Sequence, residues 1–494
     1  MFPFRPVATA FLLSLLGLTP VAIAAKNRHV EQLRENRECA ECDLDKARLG
    51  GAELAGANLV AADLREADLR GATLDGANFS NADLSGADLR DARLGGAKFE
   101  NAKVRLAKFD GANAFRAQLQ RADFSEAELV EVNLSDADLS LVRLESANLT
   151  AANLTGATLA GANLANANLT ETRFADADLS GANLLDATLD NTDLSGANLS
   201  GVNLNGATLV RVNLKDARID GGTIWSDRWE LIWKVVNGAI DLNVIAGANL
   251  HDAHLENIDL SDLDLPETNF ENAYLFLADV SNSNLAQANF ANAHLVYTDL
   301  EDTTLSEANL ENANLKNANL ASADLKHANL DNANLERASL SDANLYAANL
   351  ANANLAGTDF SGANLRQTNL TNSRIDGDTR LDAKWMRVWI IVNQGAGRED
   401  LSDINLLDAN LSGANLFRAR LSGASLFRAN LSRANLKEAN LFRADLSDAD
   451  LSDANLDRAT LSEANLTGAN LEGASLDGAN LCNTLMPDGT QHGC

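Results

Sequence analysis

From Asp43 onward an apolar residue returns at every fifth position: Leu44, Leu49, Leu54, Leu59, Leu64, Leu69, Leu74, Phe79, Leu84, Leu89, Leu94 and Phe99. Two places before each stands a small residue, usually Ala, as in Ala57-Asn58-Leu59 and Ala67-Asp68-Leu69. A period of five matches neither the 3.6 of a helix nor the 2 of a strand, so it points to a repeated turn of backbone, a solenoid. If each unit makes one short face and one corner, four units close a square coil of about twenty residues, stacked at the ~4.8 Å spacing of paired strands. The Leu or Phe then fills the coil, and the small residue also points in. Regular substitutions at the small position go no larger than Val or Thr: Val132, Val142, Thr192, Val202, Val212, Thr298 and Thr303. The intervening Asp or Asn and the following Ser, Thr, Gly or charged residues face out.

These A-(D/N)-L-x-x units resemble the pentapeptide-repeat family, and the resemblance spans nearly the whole chain after residue 43. It implies an all-β fold, the right-handed quadrilateral β-helix, and is far more specific for fold than for function. Centres run from Leu44 to Ile224, Leu250 to Ile375 and Leu401 to Leu481, about 37, 26 and 17 units. At four units per coil this is roughly twenty coils, on the order of 95 Å of solenoid. Ala114 occupies a centre and Phe115 follows it, which predicts either a local shift of Phe115 toward the core or a small cavity.

Two related segments break the phase. Arg218-Ile219-Asp220-Gly221 through Trp229, Trp233, Val236 and Asn237 reappears as Arg374-Ile375-Asp376-Gly377 through Trp385, Trp389, Val392 and Asn393. The Trp, Trp and Val fall at i, i+4 and i+7, which predicts a short amphipathic helix in each. All five tryptophans, Trp225, Trp229, Trp233, Trp385 and Trp389, lie in these inserts. They suit a helix folded onto the solenoid wall or, alternatively, aromatic anchors for a partner. Gly395 through Asp400 reads as a flexible loop.

The ends read differently. Arg5, the apolar run Val7 to Leu18, Pro20 and the small-x-small site Ala22-Ile23-Ala24 predict a signal peptide cleaved after Ala24. Residues from about Asn27 to Arg37 predict a polar helix, with Val30 and Leu33 on one side, over the first coil. In an oxidising compartment the two sequence-local cysteine pairs suggest Cys39–Cys42 and Cys482–Cys494 disulfides that staple the ends, with a redox C-x-x-C as the other reading. The expected organisation is a signal peptide at 1–24, an N-terminal cap at 25–43 and solenoid at 44–224. A helical insert at 225–244, solenoid at 245–375, a second insert at 376–400, solenoid at 401–481 and a disulfide loop at 482–494 complete it.

Charge narrows the function. Asp and Glu number 69 against 40 Lys and Arg, a net charge of -29 that argues against binding nucleic acid or an anionic membrane. No membrane association is expected once the leader is removed. Arg93, Lys98, Lys103 and Lys108 occupy successive outward positions, with Lys103 between Asp83 and Asp123 and Lys108 between Asp88 and Glu128, an alternation that relieves repulsion. A second column is less ordinary: His254, Tyr274 and His294 fall twenty apart, with Phe276-Leu277 under Val296-Tyr297. A regular coil makes these a contiguous exposed patch for a protein partner, whereas an irregularity at Leu263 and Pro266 turns some rings inward. Phe417-Arg418, Phe427-Arg428 and Phe442-Arg443 fall on different faces.

No cofactor, metal site or catalytic group is expected, since His254 and His294 stand two coils apart and the paired carboxylates are products of repetition. The reading is a noncatalytic exported scaffold or interaction protein of the periplasm or thylakoid lumen. The alternative, suggested by cytosolic relatives, is an acidic mimic of DNA that inhibits a topoisomerase.

Overall fold

Residues 20–494 are described by the computed structural model, with side chains from Lys26 onward. The expected leader lies outside the described residues as far as residue 19. Two units divide the chain, Met1–Ile240 and Asp241–Cys494. Helix α1 (Pro20–Asn36), strands β1 (Thr188–Asp190) and β2 (Thr208–Val210) and helix α2 (Asp227–Val236) belong to the first. A 3-10 turn (Leu242–Val244) and helix α3 (Ala383–Gln394) belong to the second. Nearly everything else regular is a ladder of single parallel bridges between residues twenty apart, such as Asp43↔Asp63 and Asn249↔Asn269. This is an all-β, right-handed quadrilateral β-helix.

The five-residue unit is explained by where its five N–H groups go. In the unit ending at Arg65 and Glu66, the Ala62 N–H closes a turn on the Leu59 carbonyl at 3.1 Å, and the Asp63 N–H bonds to Cys42 of the preceding coil at 2.9 Å. Leu64 bonds forward to Asp83 at 2.7 Å and Glu66 forward to Ser85 at 2.9 Å. The Arg65 N–H is taken by the Asp63 carboxylate at 3.3 Å. The Asp or Asn therefore does more than face water: it accepts the one amide that the ladder leaves over. The corner residue after it sits at positive φ, 53° for Glu66.

Centres from Leu44 to Leu214, from Leu250 to Leu370 and from Leu401 to Leu466 are buried. Stacked rings keep the coil spacing, with centroids 4.7 Å apart for Phe79–Phe99 and 4.8 Å for Phe270–Phe290. Inward hydroxyls are satisfied as well; Thr298 donates to the Leu275 carbonyl at 2.7 Å. Ile258, Leu263 and Ile404 exceed the size expected at the small position, and all three are only half-buried, in the first coil after an insert. The coil at Leu263 and Pro266 nevertheless stays in register, with Asp264 bridged to Asn284.

Several expectations are corrected. Ile224 is not a centre: it bridges Asn203, twenty-one residues back, and is 54% exposed, because the turn after Ile219 carries one extra residue. The same slip recurs where Asp359 bridges Arg380. Phe115 neither shifts inward nor distorts the coil. Ala114 stays buried with its N–H on Asn133 at 2.7 Å, and Phe115 remains outside under Arg116. Phe99, Phe109 and Phe124 touch one another in the core beside it, with Phe109–Phe124 centroids 5.4 Å apart, supplying volume that Val104 and Ala114 lack. The helix expected from Asn27 starts at Pro20 and ends at Asn36. The segment after Gly395 is paired rather than loose, Ala396 bonding to Asn415 at 2.9 Å and Arg398 to Phe417 at 3.1 Å.

Both ends use substitutes for a missing coil. At the start, Leu33 is fully buried, and Arg34 and Arg37 donate to the carbonyls of Arg48 and Ala55, each at 3.1 Å. Cys39 occupies a centre position and is joined to Cys42. At the other end Cys482 is joined to Cys494, and Leu485 pairs antiparallel with Gln491 along one edge. That edge leaves the last three centres, Leu471, Leu476 and Leu481, half-buried.

Candidate protein-binding site

The twenty-residue register brings the expected column together. His254, Tyr274 and His294 occupy consecutive bridge positions of one face in the second unit. Their rings lie nearly parallel, with centroids 5.7 Å apart for His254–Tyr274 and 4.3 Å for Tyr274–His294. All three residues are half-buried. His254 also lies 3.9 Å from Glu256. At the adjoining corner Phe276 meets Tyr297 edge-on, with centroids 6.0 Å apart and planes at 84°. Val296 is half-buried, while Leu277 and Tyr297 are 49% and 53% exposed. The bridge positions of the following face are Asp259, Asp279 and Asp299, so a carboxylate column runs beside the apolar one. The hydroxyl and amide of Ser261 hold the Asp259 carboxyl below its usual range.

The insert tryptophans are arranged differently. Trp229 and Trp385 are buried, as are Ile232 and Val388 behind them. Trp233 donates its indole N–H to the Ala217 carbonyl at 2.7 Å, and Trp389 donates to Ser373 at 3.1 Å. Asn237 and Asn393 likewise reach Leu214 and Leu370, at 3.0 and 3.1 Å. Four of the five tryptophans thus serve the solenoid. Trp225 is half-exposed and lines a cavity of about 410 Å³ together with residues 204–209, Ser226, Trp229 and Arg228, whose guanidinium stacks on Trp229.

The cationic belt keeps the expected neighbours, Lys103 bridging Asp83 and Asp123 and Lys108 bridging Asp88 and Glu128, with the Lys103 ammonium 3.9 Å from Asp83; Arg93 adds a pair with Asp75 at 3.0 Å. Among the described residues no group of three or more His, Cys, Asp or Glu side chains is placed to hold a metal ion. No described helix is long and apolar enough to cross a membrane.

The family model for pentapeptide repeats matches residues 42–105, 107–145, 147–221, 245–377 and 404–483. The chain belongs to the pentapeptide-repeat family. Among solved structures it is similar to HetL of the cyanobacterium Nostoc sp. strain PCC 7120, a pentapeptide-repeat protein involved in regulating heterocyst differentiation. That match has 34% identity over 51% of this chain and 94% of HetL, with a TM-score of 0.20. A pentapeptide-repeat protein of the Arabidopsis thaliana thylakoid lumen matches at 30% identity over 22% of this chain and 73% of its own, TM-score 0.16. QnrB1, a plasmid-mediated fluoroquinolone resistance protein, matches at 19% identity over 34% of this chain and 91% of its own, TM-score 0.21. No curated protein sequence gives a significant match.

Sequence reading missed the acidic column beside the patch and, outside the patch in the coil that follows the second insert, Asp408. The Asp408 side chain is 3% exposed; Arg428 clasps it at 2.8 and 3.2 Å and Arg366 approaches to 3.6 Å. Lys384 of α3 donates to the adjacent Leu407 carbonyl at 2.7 Å, and burial lowers its pKa. The twenty-residue spacing of Asp408 and Arg428 was readable in the chain; the approach of Arg366 across the phase break was not.

Proposed function

We propose that this protein is a noncatalytic exported scaffold that binds a protein partner on the wall of its second unit. The observation that carries the reading is the cluster of exposed Leu277 and Tyr297 with half-buried Phe276 beside the His254–Tyr274–His294 stack, on a wall whose outward positions are otherwise mostly polar. Large apolar side chains held in water by a rigid backbone are what a recognition surface requires. Export is supported by the leader pattern and by two sequence-local disulfides, which persist in oxidising compartments such as the periplasm or thylakoid lumen. The alternative, an acidic surface imitating DNA toward a topoisomerase, draws on the net charge of -29 and needs a cytosolic chain.

The test is expression of the tagged gene in its native host, chemical crosslinking, and mass spectrometry of separated cytosolic and exported fractions. A chain beginning at Ala25, crosslinked to one protein in the exported fraction, supports the scaffold. A full-length cytosolic chain crosslinked to a topoisomerase overturns it in favour of mimicry.

A further inference from the structure

Among the described residues, outward-facing phenylalanines follow one rule, with one exception. Phe115, Phe417, Phe427 and Phe442 each stand just after a centre position, and the next residue is an arginine lying over the ring at 4.7, 4.9, 5.2 and 4.8 Å from its centroid. Each arginine is held in turn by a carboxylate twenty residues away. Arg116 pairs with Asp136 at 3.6 Å, Arg418 with Glu438 at 2.6 Å, Arg428 with Asp408 at 2.8 Å and Arg443 with Glu463 at 2.7 Å. The guanidinium covers the ring face with a weakly hydrated plane while its charge is matched by the neighbouring coil.

Phe276 occupies the same position in its unit, but the next residue is Leu277, and the residue one coil on is Tyr297. Among the described residues no Lys or Arg lies over Phe276 or Tyr297. Carboxylates to match such a cation are nevertheless in place. Glu256 stands one coil before Phe276 in the same column, and Asp279 and Asp299 stand on the following face. The site has the ring of the other four but lacks the guanidinium, and because Asn257 and Tyr297 stand twenty residues either side of Leu277, its acids come from the neighbouring columns instead.

We propose that the partner supplies it: the patch binds a polypeptide segment that places an arginine over the Phe276–Tyr297 pair and an apolar side chain against Leu277. The inference rests on the protein-binding reading above and names the chemistry of its partner. Stacking favours the planar guanidinium over a lysine ammonium, and the carboxylates reject an uncharged isostere.

The probe is a short fluorescent peptide containing Leu-Arg-Leu, compared with versions carrying Lys or citrulline in place of Arg, titrated into the chain from residue 25 at about 150 mM ionic strength. The decisive variant is Leu277→Arg, which gives Phe276 its own lid. Leu277 sits at φ 57°, close to the 55° of Arg116 and the 59° of Arg418, so an arginine is accommodated there. Leu106→Arg, at a 57% exposed leucine of the first unit, controls for added charge. The expected result is binding of the arginine peptide at least about tenfold tighter than the citrulline peptide, lost by about tenfold or more in Leu277→Arg and kept in Leu106→Arg. No binding, equal binding of arginine and citrulline peptides, or equal binding to Leu277→Arg and the unaltered chain overturns the proposal. A host partner still crosslinked to Leu277→Arg as efficiently as to the unaltered chain overturns this site while leaving the scaffold reading standing.

Discussion

The indole N–H of Trp233 donates to the carbonyl of Ala217 at 2.7 Å, where a further coil would have placed a backbone amide. In a regular coil that carbonyl type is taken by the outward residue of the next coil, as Cys42 is by Asp63. Trp389 repeats the bond at Ser373. Each insert therefore closes the ladder with a side chain. Trp233→Phe keeps the ring and leaves the carbonyl without its indole donor, at an expected cost on the order of 1–3 kcal/mol to the first unit. Urea unfolding followed by hydrogen exchange at residues 214–217 checks it.

Ala114 predicts a compensation. The core around it holds Phe99, Phe109 and Phe124 in mutual contact, so restoring the usual leucine overfills the layer. Ala114→Leu is expected to destabilise the first unit by about 1–3 kcal/mol, and adding Phe109→Leu to recover part of that loss. A double-mutant cycle in thermal unfolding measures the coupling; strict additivity contradicts the account.

Asp408 ties the solenoid together across α3. Gln367 bonds through its backbone N–H to the Asp408 carbonyl at 2.8 Å, while Arg366 and Arg428 hold the carboxylate. Asp408→Asn removes the buried charge that two half-exposed guanidinium groups share; water solvates the freed arginines, so the expected loss is clear but smaller than for a fully buried pair. The loss should appear in hydrogen exchange on both sides of the insert, at residues 366–370 and 406–410, before the regular coils open.

Acid should loosen the first unit in a defined window. Side-chain hydrogen bonds from Arg65, Arg70 and Arg90 hold Asp63, Asp68 and Asp88 below the ordinary range, Asp68 down to about 2. Because these pKa values are depressed on folding, their contribution is full above the unfolded value near ~4 and is lost as pH falls toward ~2. Replacing the three arginines with glutamine should flatten the decline in stability between about pH 4 and pH 2, measured by urea unfolding at a series of pH values.

The solenoid and the patch were legible because a strict twenty-residue register turns a linear chain into columns. His254, Tyr274 and His294 needed only counting. The error at Ile224 arose because one added residue moves an apolar side chain from inside to outside, and hydrophobicity alone does not reveal that slip. Phe115 was misjudged because volume is shared between neighbouring centres, so a local deficit at Ala114 is filled from Phe109 and Phe124. The role of Asp and Asn was available in pairs such as Asp83 and Ser85, where hydroxyl and amide both bond to one carboxylate oxygen. Residues at positive φ carried little signal, since Leu106, Leu141, Leu277 and many arginines share that corner with glycine and asparagine.

The most direct test of the central claim is site-specific photocrosslinking in the native host, with a benzophenone amino acid in place of Tyr297, Leu106 or Leu141 in turn. The account predicts a crosslink to one protein partner from position 297, mapping by mass spectrometry to an arginine-bearing segment and disappearing when Leu277→Arg is added. Crosslinks of equal strength from positions 106 and 141, or none from position 297 while the partner is still captured, would contradict it.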